Sequence, residues 1–253
     1  MKMQTNKRKE IKIGLFGSSG KMGQAVEQVI LSGLQNAPTH SFSIHPYIAV
    51  GKKMSSLFSV SAVDINSTED QILEDVDVWI DFSSPAGLSE LIRRTRGFRT
   101  SIVSGTTGLS STDFKNLKKE ATSRPIFWAS NMSPGLWAFR QAMKSLSLVQ
   151  DFDFAIEEVH HNKKKDRPSG TAITLREDLE AITHKKIETP SSLRLGGVFG
   201  IHQVWAASSH EVITLQHQAL SRSVFAEGAV KASLWLSQKT KGYFSMEDLF
   251  KTK

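Results

Sequence analysis

The chain of 253 residues contains no cysteine. That absence excludes disulfides, thiolate zinc sites, iron–sulfur clusters and a cysteine nucleophile. No apolar run approaches the roughly 18–20 residues that a membrane-spanning helix needs. The opening MKMQTNKRKE runs straight into IKIGLFG, without the apolar core and small-residue cleavage site of a secretory leader. These absences point to a cytoplasmic protein with no membrane partner. One long stretch also lacks acid: none lies between Glu27 and Asp64.

What is present is an ordinary globular composition, 39% hydrophobic and 23% charged, long enough for one large α/β domain or two smaller ones. The net charge is +7, which raises the question of nucleic acid. Residues 1–12 carry a surplus of four positive charges and residues 163–167 a surplus of three. The rest of the chain is neutral overall, and no basic stripe interleaved with aromatics appears, so no nucleic-acid partner is expected. The first cluster reads as a solvated arm. The second lies beside two histidines and reads as a site for a small anion.

The first 130 residues alternate short apolar runs with helical spacing. IKIGLF (11–16), SIHPYIAV (43–50), SAVDI (61–65), VDVWIDFS (76–83), SIVSG (101–105) and PIFWAS (125–130) read as strands. Helices are expected to about Leu34, from Pro85 to Arg96 and around 111–122. Pro46 suggests an irregular start to the second strand. This alternation implies a doubly wound parallel sheet covered on both faces. The pattern changes after Asn131: a helix over 134–149, an alternating strand DFDFAIEEVH (151–160), a polar loop and a helix over 170–182. LRLGGVFGIHQVW (193–205) and HEVITLQHQ (210–218) then read as strands of a mainly antiparallel sheet, and 225–236 as helix. The expected layout is an α/β chain whose second α+β domain, 132–222, follows a first domain over 1–131.

Gly17-Ser18-Ser19-Gly20-Lys21-Met22-Gly23 follows the first strand and opens a helix. Glycine here permits a tight turn and close approach to a pyrophosphate, and the amides of a helix start favour an anion. A plain turn would also use glycine, but the position in the first strand–helix unit favours a Rossmann-type dinucleotide site. NAD-specific sites usually place an acid at the end of the second strand. Here that strand ends Val50-Gly51-Lys52-Lys53, whose ammonium groups complement a 2′-phosphate, so NADPH is expected to serve at least as well as NADH. Gly105-Thr106-Thr107-Gly108 and Ala129-Ser130-Asn131-Met132 end strands on the same sheet edge and are further cofactor candidates.

The segment Glu157-Glu158-Val159-His160-His161-Asn162-Lys163-Lys164-Lys165-Asp166-Arg167-Pro168-Ser169-Gly170-Thr171 carries the reaction chemistry. Histidine and lysine both trade protons when neighbours tune them. The amides at Gly170 and Thr171 open a helix and suit a carboxylate. The combination describes a pocket for an acidic small molecule with a proton donor. Adjacent histidines diverge on a strand and no His-x3-His spacing supports them, so no metal is expected.

At these residues the chain resembles the dihydrodipicolinate reductase family. The blocks GSSGKMG, VDVWIDFSSP, SGTTG, ASNMSPG, EEVHHNKKKDRPSGTA, RLGGVFGIH and SRSVFAEGAVKASLWL come in the family's order. The resemblance implies NADPH- or NADH-dependent reduction of 4-hydroxy-tetrahydrodipicolinate, via its dehydrated cyclic imine, to tetrahydrodipicolinate. It implies catalytic proton transfer at His160 and Lys164, and substrate contact at His161, Gly170 and Thr171. Gly17, Ser18, Ser19, Gly20, Lys21, Met22, Gly105, Thr106, Thr107, Ala129, Ser130, Asn131 and Met132 are the implied cofactor contacts. It also implies a homotetramer built through the second domain's sheet, with the last helix (about 223–253) returning to the first domain. Arg222 is a weaker candidate for anion contact, a structural salt bridge being the other reading.

This chain departs from the family's pattern in four places. Arg167 stands before Pro168 in place of alanine. The family's Gly-Glu-His-Thr turn reads Gly200-Ile201-His202-Gln203, the stretch between Thr171 and Arg194 is short, and the second-strand acid is missing. Other readings of the residues are a different Rossmann dehydrogenase acting on a small acidic substrate, or a non-catalytic NADP(H) sensor.

Overall fold

Six strands of the first unit form in chain order with helices between them: β1 (Lys9–Phe16), α1 (Lys21–Asn36), β2 (Phe42–Val50), β3 (Val60–Ala62), α2 (Asp70–Glu74), β4 (Val78–Asp81), α3 (Pro85–Arg94), β5 (Ser101–Ser104), α4 (Ser111–Glu120) and β6 (Pro125–Trp128). The computed structural model describes residues 9–36 and 42–251, so residues 1–8 of the basic arm expected over 1–12 lie outside the described residues, whereas residues 9–12 are not an arm but the start of β1, held in the sheet by pairing with β2. β4 and β5 are buried at every position, the pattern of central parallel strands covered on both faces. α3 starts where Ser84 accepts from the Gly87 N–H and Pro85 occupies the first turn, both ordinary helix-start devices. β1 pairs in parallel with β2 on one side and β4 on the other. The strand order therefore reverses beside β1, leaving a crevice at the carboxyl ends of β1 and β4. The irregularity from Pro46 falls in mid-strand: Ile13 pairs with Pro46 and Gly14 with Ile48, so Tyr47 is the extra residue.

The second unit, Ser133–Val224, holds α5 (Pro134–Met143), β7 (Asp153–His160), α6 (Gly170–Thr183), β8 (Ser191–Arg194), β9 (Gly200–Ala207) and β10 (Val212–Ala219). The helix expected over 134–149 finishes in 3-10 form from Lys144. The single strand expected over 193–205 is two strands. Gly196, at φ 48°, lies in the turn that breaks it, so β8 runs parallel to β7 on one side while β9 runs antiparallel on the other. The sheet, in order β10-β9-β7-β8, is thus mixed. Its inward face packs Ile156, Val204 and Ala206 against Leu136, Phe139, Leu175 and Leu179.

The chain then adds α7 (Ser223–Leu236), β11 (Gly242–Phe244) and α8 (Met246–Phe250). Residues from Phe225 onward group with the first unit. β11 pairs in parallel with β6 and completes a seven-stranded sheet. A Cβ at Gly228 would collide with the Met132 carbonyl oxygen, so α7 sits directly on the segment that follows β6. The single last helix expected over about 223–253 is instead α7, β11 and α8, interrupted by a turn that leads into Gly242 at φ 131°; α2 and β11 were not anticipated, each being five residues or fewer and too short for a hydrophobic period to register.

Candidate active site

In the first unit the glycine loop is built by close approach. Gly17 has φ 86°, and a Cβ there would lie 2.7 Å from the Phe82 carbonyl oxygen just beyond β4. A Cβ on Gly23 would collide with the Gly17 oxygen, so α1 packs against the turn itself. The N–H groups of Gly17 and Ser18 both donate to the Val50 carbonyl, at 3.0 and 3.1 Å. Ser18 Oγ is buried with no hydrogen-bond partner. Lys21 and Met22 begin α1, whose first-turn amides have no helical acceptor. An orphaned hydroxyl, crowded glycines and open amides at one strand end fit the pyrophosphate of a dinucleotide.

Two further loops meet that edge. Asp81, at the end of β4, is fully buried. Its carboxylate accepts from Ser83 Oγ at 2.5 Å, the Ser83 N–H at 3.1 Å, Ser104 Oγ at 2.7 Å and Thr106 Oγ1 at 2.8 Å. Burial pushes its pKa up, against those hydrogen bonds. Asp81 thereby fixes the start of the Gly105-Thr106-Thr107 loop, and Trp128 Nε1 donates to the Thr106 carbonyl at 2.9 Å. The Ala129 N–H donates to Ser104 and Met132 is buried. The Lys53 N–H donates to Ser19 Oγ at 2.9 Å, so Lys52 and Lys53, both exposed, stand at the loop's side.

In the second unit the reaction segment leaves the end of β7. Glu158 and His160 continue the inward row of Ile156, as alternation along a strand requires. Glu158 is fully buried and is engaged by three donors: Arg194 Nη2 at 2.9 Å, the Ser169 N–H at 3.3 Å and His160 Nδ1. Burial raises the Glu158 pKa, but Arg194, then Ser192 and His160, outweigh it and hold the carboxyl below its ordinary value. His160 is also held below its ordinary value, by burial first and then by the charges of Lys164 and Arg194, with Glu158 opposing.

Beyond β7, His161 keeps Nδ1 buried without a partner, and its carbonyl accepts from the Lys164 N–H at 3.1 Å. Lys164 Nζ pairs with Asp166 at 2.9 Å. Burial raises the Asp166 pKa, and the Lys164 contact more than reverses that. Ser169 caps α6 by accepting from the Ala172 N–H at 3.2 Å, which places Gly170 and Thr171 in the first turn. Arg167 is exposed on the same loop. Arg222 lies over the Phe199 ring at 5.3 Å.

Four residues in these sites escaped sequence reasoning in their roles: Asp81, Glu158, Arg194 and His202. Glu158 and Asp81 stand inside quoted blocks, yet only a fold shows what a buried carboxylate touches. His202 packs edge-on against His160 with centroids 5.1 Å apart, and its Nε2 lies 3.4 Å from Ser169 Oγ.

Comparison with known proteins agrees across both units. The family description "Dihydrodipicolinate reductase, N-terminus" matches residues 11–132 and "Dihydrodipicolinate reductase, C-terminus" matches 135–250. A 4-hydroxy-tetrahydrodipicolinate reductase of Bdellovibrio bacteriovorus is 41% identical over 245 residues, covering 95% of this chain and 96% of that protein. One from Rickettsia canadensis is 38% identical over 255 residues, covering 95% and 99%. The dipicolinate-bound dihydrodipicolinate reductase from Paenisporosarcina sp. TG-14 shares the fold, with a TM-score of 0.72 at 20% identity over 94% of this chain and 99% of that one. Matched in both halves, the chain belongs to the dihydrodipicolinate reductase family, oxidoreductases of lysine and diaminopimelate biosynthesis that use a pyridine nucleotide.

Proposed function

We propose that His160 and Lys164 handle the protons in reduction of 4-hydroxy-tetrahydrodipicolinate, through its dehydrated cyclic imine. The observation carrying this reading is the state of His160. A carboxylate only accepts, so the His160 proton sits on Nδ1 toward Glu158 and leaves Nε2 as an acceptor. With its pKa held low, His160 is uncharged at neutral pH. The ammonium of Lys164, steadied by Asp166, is then the donor. A reduced pyridine nucleotide, when bound by the loops of the first unit, would supply the hydride for the imine's C4. The enamine left behind needs a proton at carbon, and Lys164 gives it. His161 and the Gly170 and Thr171 amides hold the substrate's carboxylates, beside the cationic loop.

The nucleotide is held by Gly17 through Met22, Gly105 through Thr107 and Ala129 through Met132. Lys52 and Lys53 add a cationic pair suited to a 2′-phosphate, which supports NADPH serving at least as well as NADH. Trp205 at 39% exposure, Leu193 at 50% and Val212 at 58% make the outward face of the second sheet apolar, which supports assembly of copies of this chain into a homotetramer.

The test is oxidation of NADPH and NADH with substrate formed in situ from pyruvate and aspartate semialdehyde by the preceding synthase. Synthase-dependent oxidation is expected for the wild type. Losses of about a hundredfold or more are expected for His160→Ala and for Lys164→Ala, with nucleotide binding retained. A Lys164→Ala enzyme running at the wild-type rate would overturn the assigned donor.

A further inference from the structure

Glu158 and Arg194 are brought together by sheet register. In the parallel β7–β8 pair His160 stands opposite Arg194, and in the antiparallel β7–β9 pair Glu158 stands opposite His202. The Glu158 carboxylate is thereby surrounded at depth, with its two oxygens in different roles. Oε1 takes Arg194 Nη2 and the Ser169 N–H, while Oε2 takes His160 Nδ1. The same guanidinium reaches the reaction loop: Arg194 Nε donates to the Lys164 carbonyl at 3.3 Å and Nη2 to the Asp166 carbonyl. Its side chain is only 3% exposed.

A buried ion pair is weak evidence of stability, because well-packed apolar residues often serve the fold as well. This pair has contacts that a purely structural one would not need. One end sets a histidine's tautomer and the other ends on the carbonyls that flank the donor lysine.

We infer that Glu158 and Arg194 are positioning residues for the reduction: Arg194 anchors Glu158, Glu158 keeps the His160 proton on Nδ1, and Arg194 fixes the backbone that carries Lys164. This rests on the reading of His160 and Lys164 as the proton-handling pair. The ring atom Nε2 then stays an acceptor. It lies beside Gly200, where a Cβ would come within 3.1 Å of it. The charged and titratable groups around His160 are Glu158 on its own strand, Arg194 on β8, His202 on β9 and Lys164 on the loop.

Glu158→Gln separates geometry from charge. The amide oxygen it introduces remains with Arg194 and the Ser169 N–H, since both donate. The amide NH2 must then face His160 Nδ1, which becomes an acceptor and drives the proton to Nε2. The volume is unchanged and the tautomer is inverted.

The experiment is nitrogen-15 NMR of the histidine-labelled full-length protein, read beside steady-state kinetics and NADPH titration. Wild-type His160 is expected as the Nδ1–H form and Glu158→Gln as the Nε2–H form. In Glu158→Gln, kcat is expected to fall by about a hundredfold, the low end of what a placed proton-transfer group contributes, with NADPH affinity unchanged. Arg194→Lys keeps the charge but loses the fork, and kcat is expected to fall while the tautomer holds. Glu158→Asp restores the carboxylate and is expected to recover the Nδ1–H form.

A wild-type His160 found as Nε2–H overturns the inference without any variant, which covers a Glu158→Gln chain that fails to fold. An inverted tautomer with undiminished kcat also overturns it. His160→Ala keeps the two readings apart. Full activity in that variant removes the catalytic role of His160 itself. An inactive His160→Ala beside a wild-type Nε2–H form removes only the role of Glu158.

Discussion

The backbone N–H of Lys53 donates to the Ser19 hydroxyl at 2.9 Å, tying the residues beyond β2 to the loop beyond β1. A Cβ on nearby Gly51 would collide with Ser18 Oγ. Two lysines are therefore held beside the phosphate loop by backbone geometry, in the place where an NAD site would put an acid. Replacing both with alanine is expected to lower the NADPH-to-NADH ratio of kcat/KM by about tenfold, the size of two exposed charge contacts. Steady-state kinetics with each nucleotide checks it, and an unchanged ratio removes the lysines from recognition.

Asp81 accepts four hydrogen bonds with no cation beside it among the described residues. Asp81→Ala leaves buried donors unmet and is expected to destabilise the chain by about 3 kcal/mol. Asp81→Asn is expected to cost much less, because the Ser104 and Thr106 hydroxyls rotate to become acceptors. Both variants should weaken NADPH binding in the same order, since the Thr106 loop starts at this carboxylate. Urea unfolding and fluorescence titration read the two effects.

His202 is 4% exposed and its pKa falls from 6.5 to about 3, driven first by burial and then by the charges of its histidine neighbours. The unfolded chain binds a proton near pH 6.5 while the folded chain stays neutral. Stability is therefore complete above 6.5 and is lost as pH falls toward 3. At about pH 5 the loss from this residue is about 2 kcal/mol. Unfolding free energies from urea titrations at about pH 7 and about pH 5 are expected to differ more in the wild type than in His202→Gln by that amount.

Trp205 stands opposite Ala155 on one side and Thr214 on the other, all on the outward sheet face. Placing a charge there with Trp205→Glu is expected to break the proposed tetramer into smaller species while leaving each chain folded. Light scattering reads the mass and circular dichroism the fold. A mass equal to the wild type's would move the interface elsewhere.

Local chemistry was readable in advance where it is contiguous. Gly17 to Gly23 forms one turn and one helix start, and His160 to Thr171 forms one strand end, one loop and another helix start. Side chains a few residues apart are neighbours by chain connectivity alone. The central strands of the parallel sheet, β4 and β5, were also readable, because full burial on both faces leaves an unbroken apolar run, whereas the three-residue edge strand β11 was not. The continuous strand expected over 193–205 was wrong, since apolar character there masks a glycine turn.

The sequence by itself determined the class of fold, the glycine turn that opens α1, and the strand end, loop and helix start that carry His160, Lys164 and Thr171. Only the tertiary structure decided what tunes them. Arg194 meets Glu158 across β7 and β8, His202 meets Glu158 across β7 and β9, and Asp81 meets Ser104 across β4 and β5. Each of those meetings depends on strand register, and a slip of one residue would turn every such side chain to the opposite face. Register is set by the packing of whole sheets against helices, so no local pattern carries it.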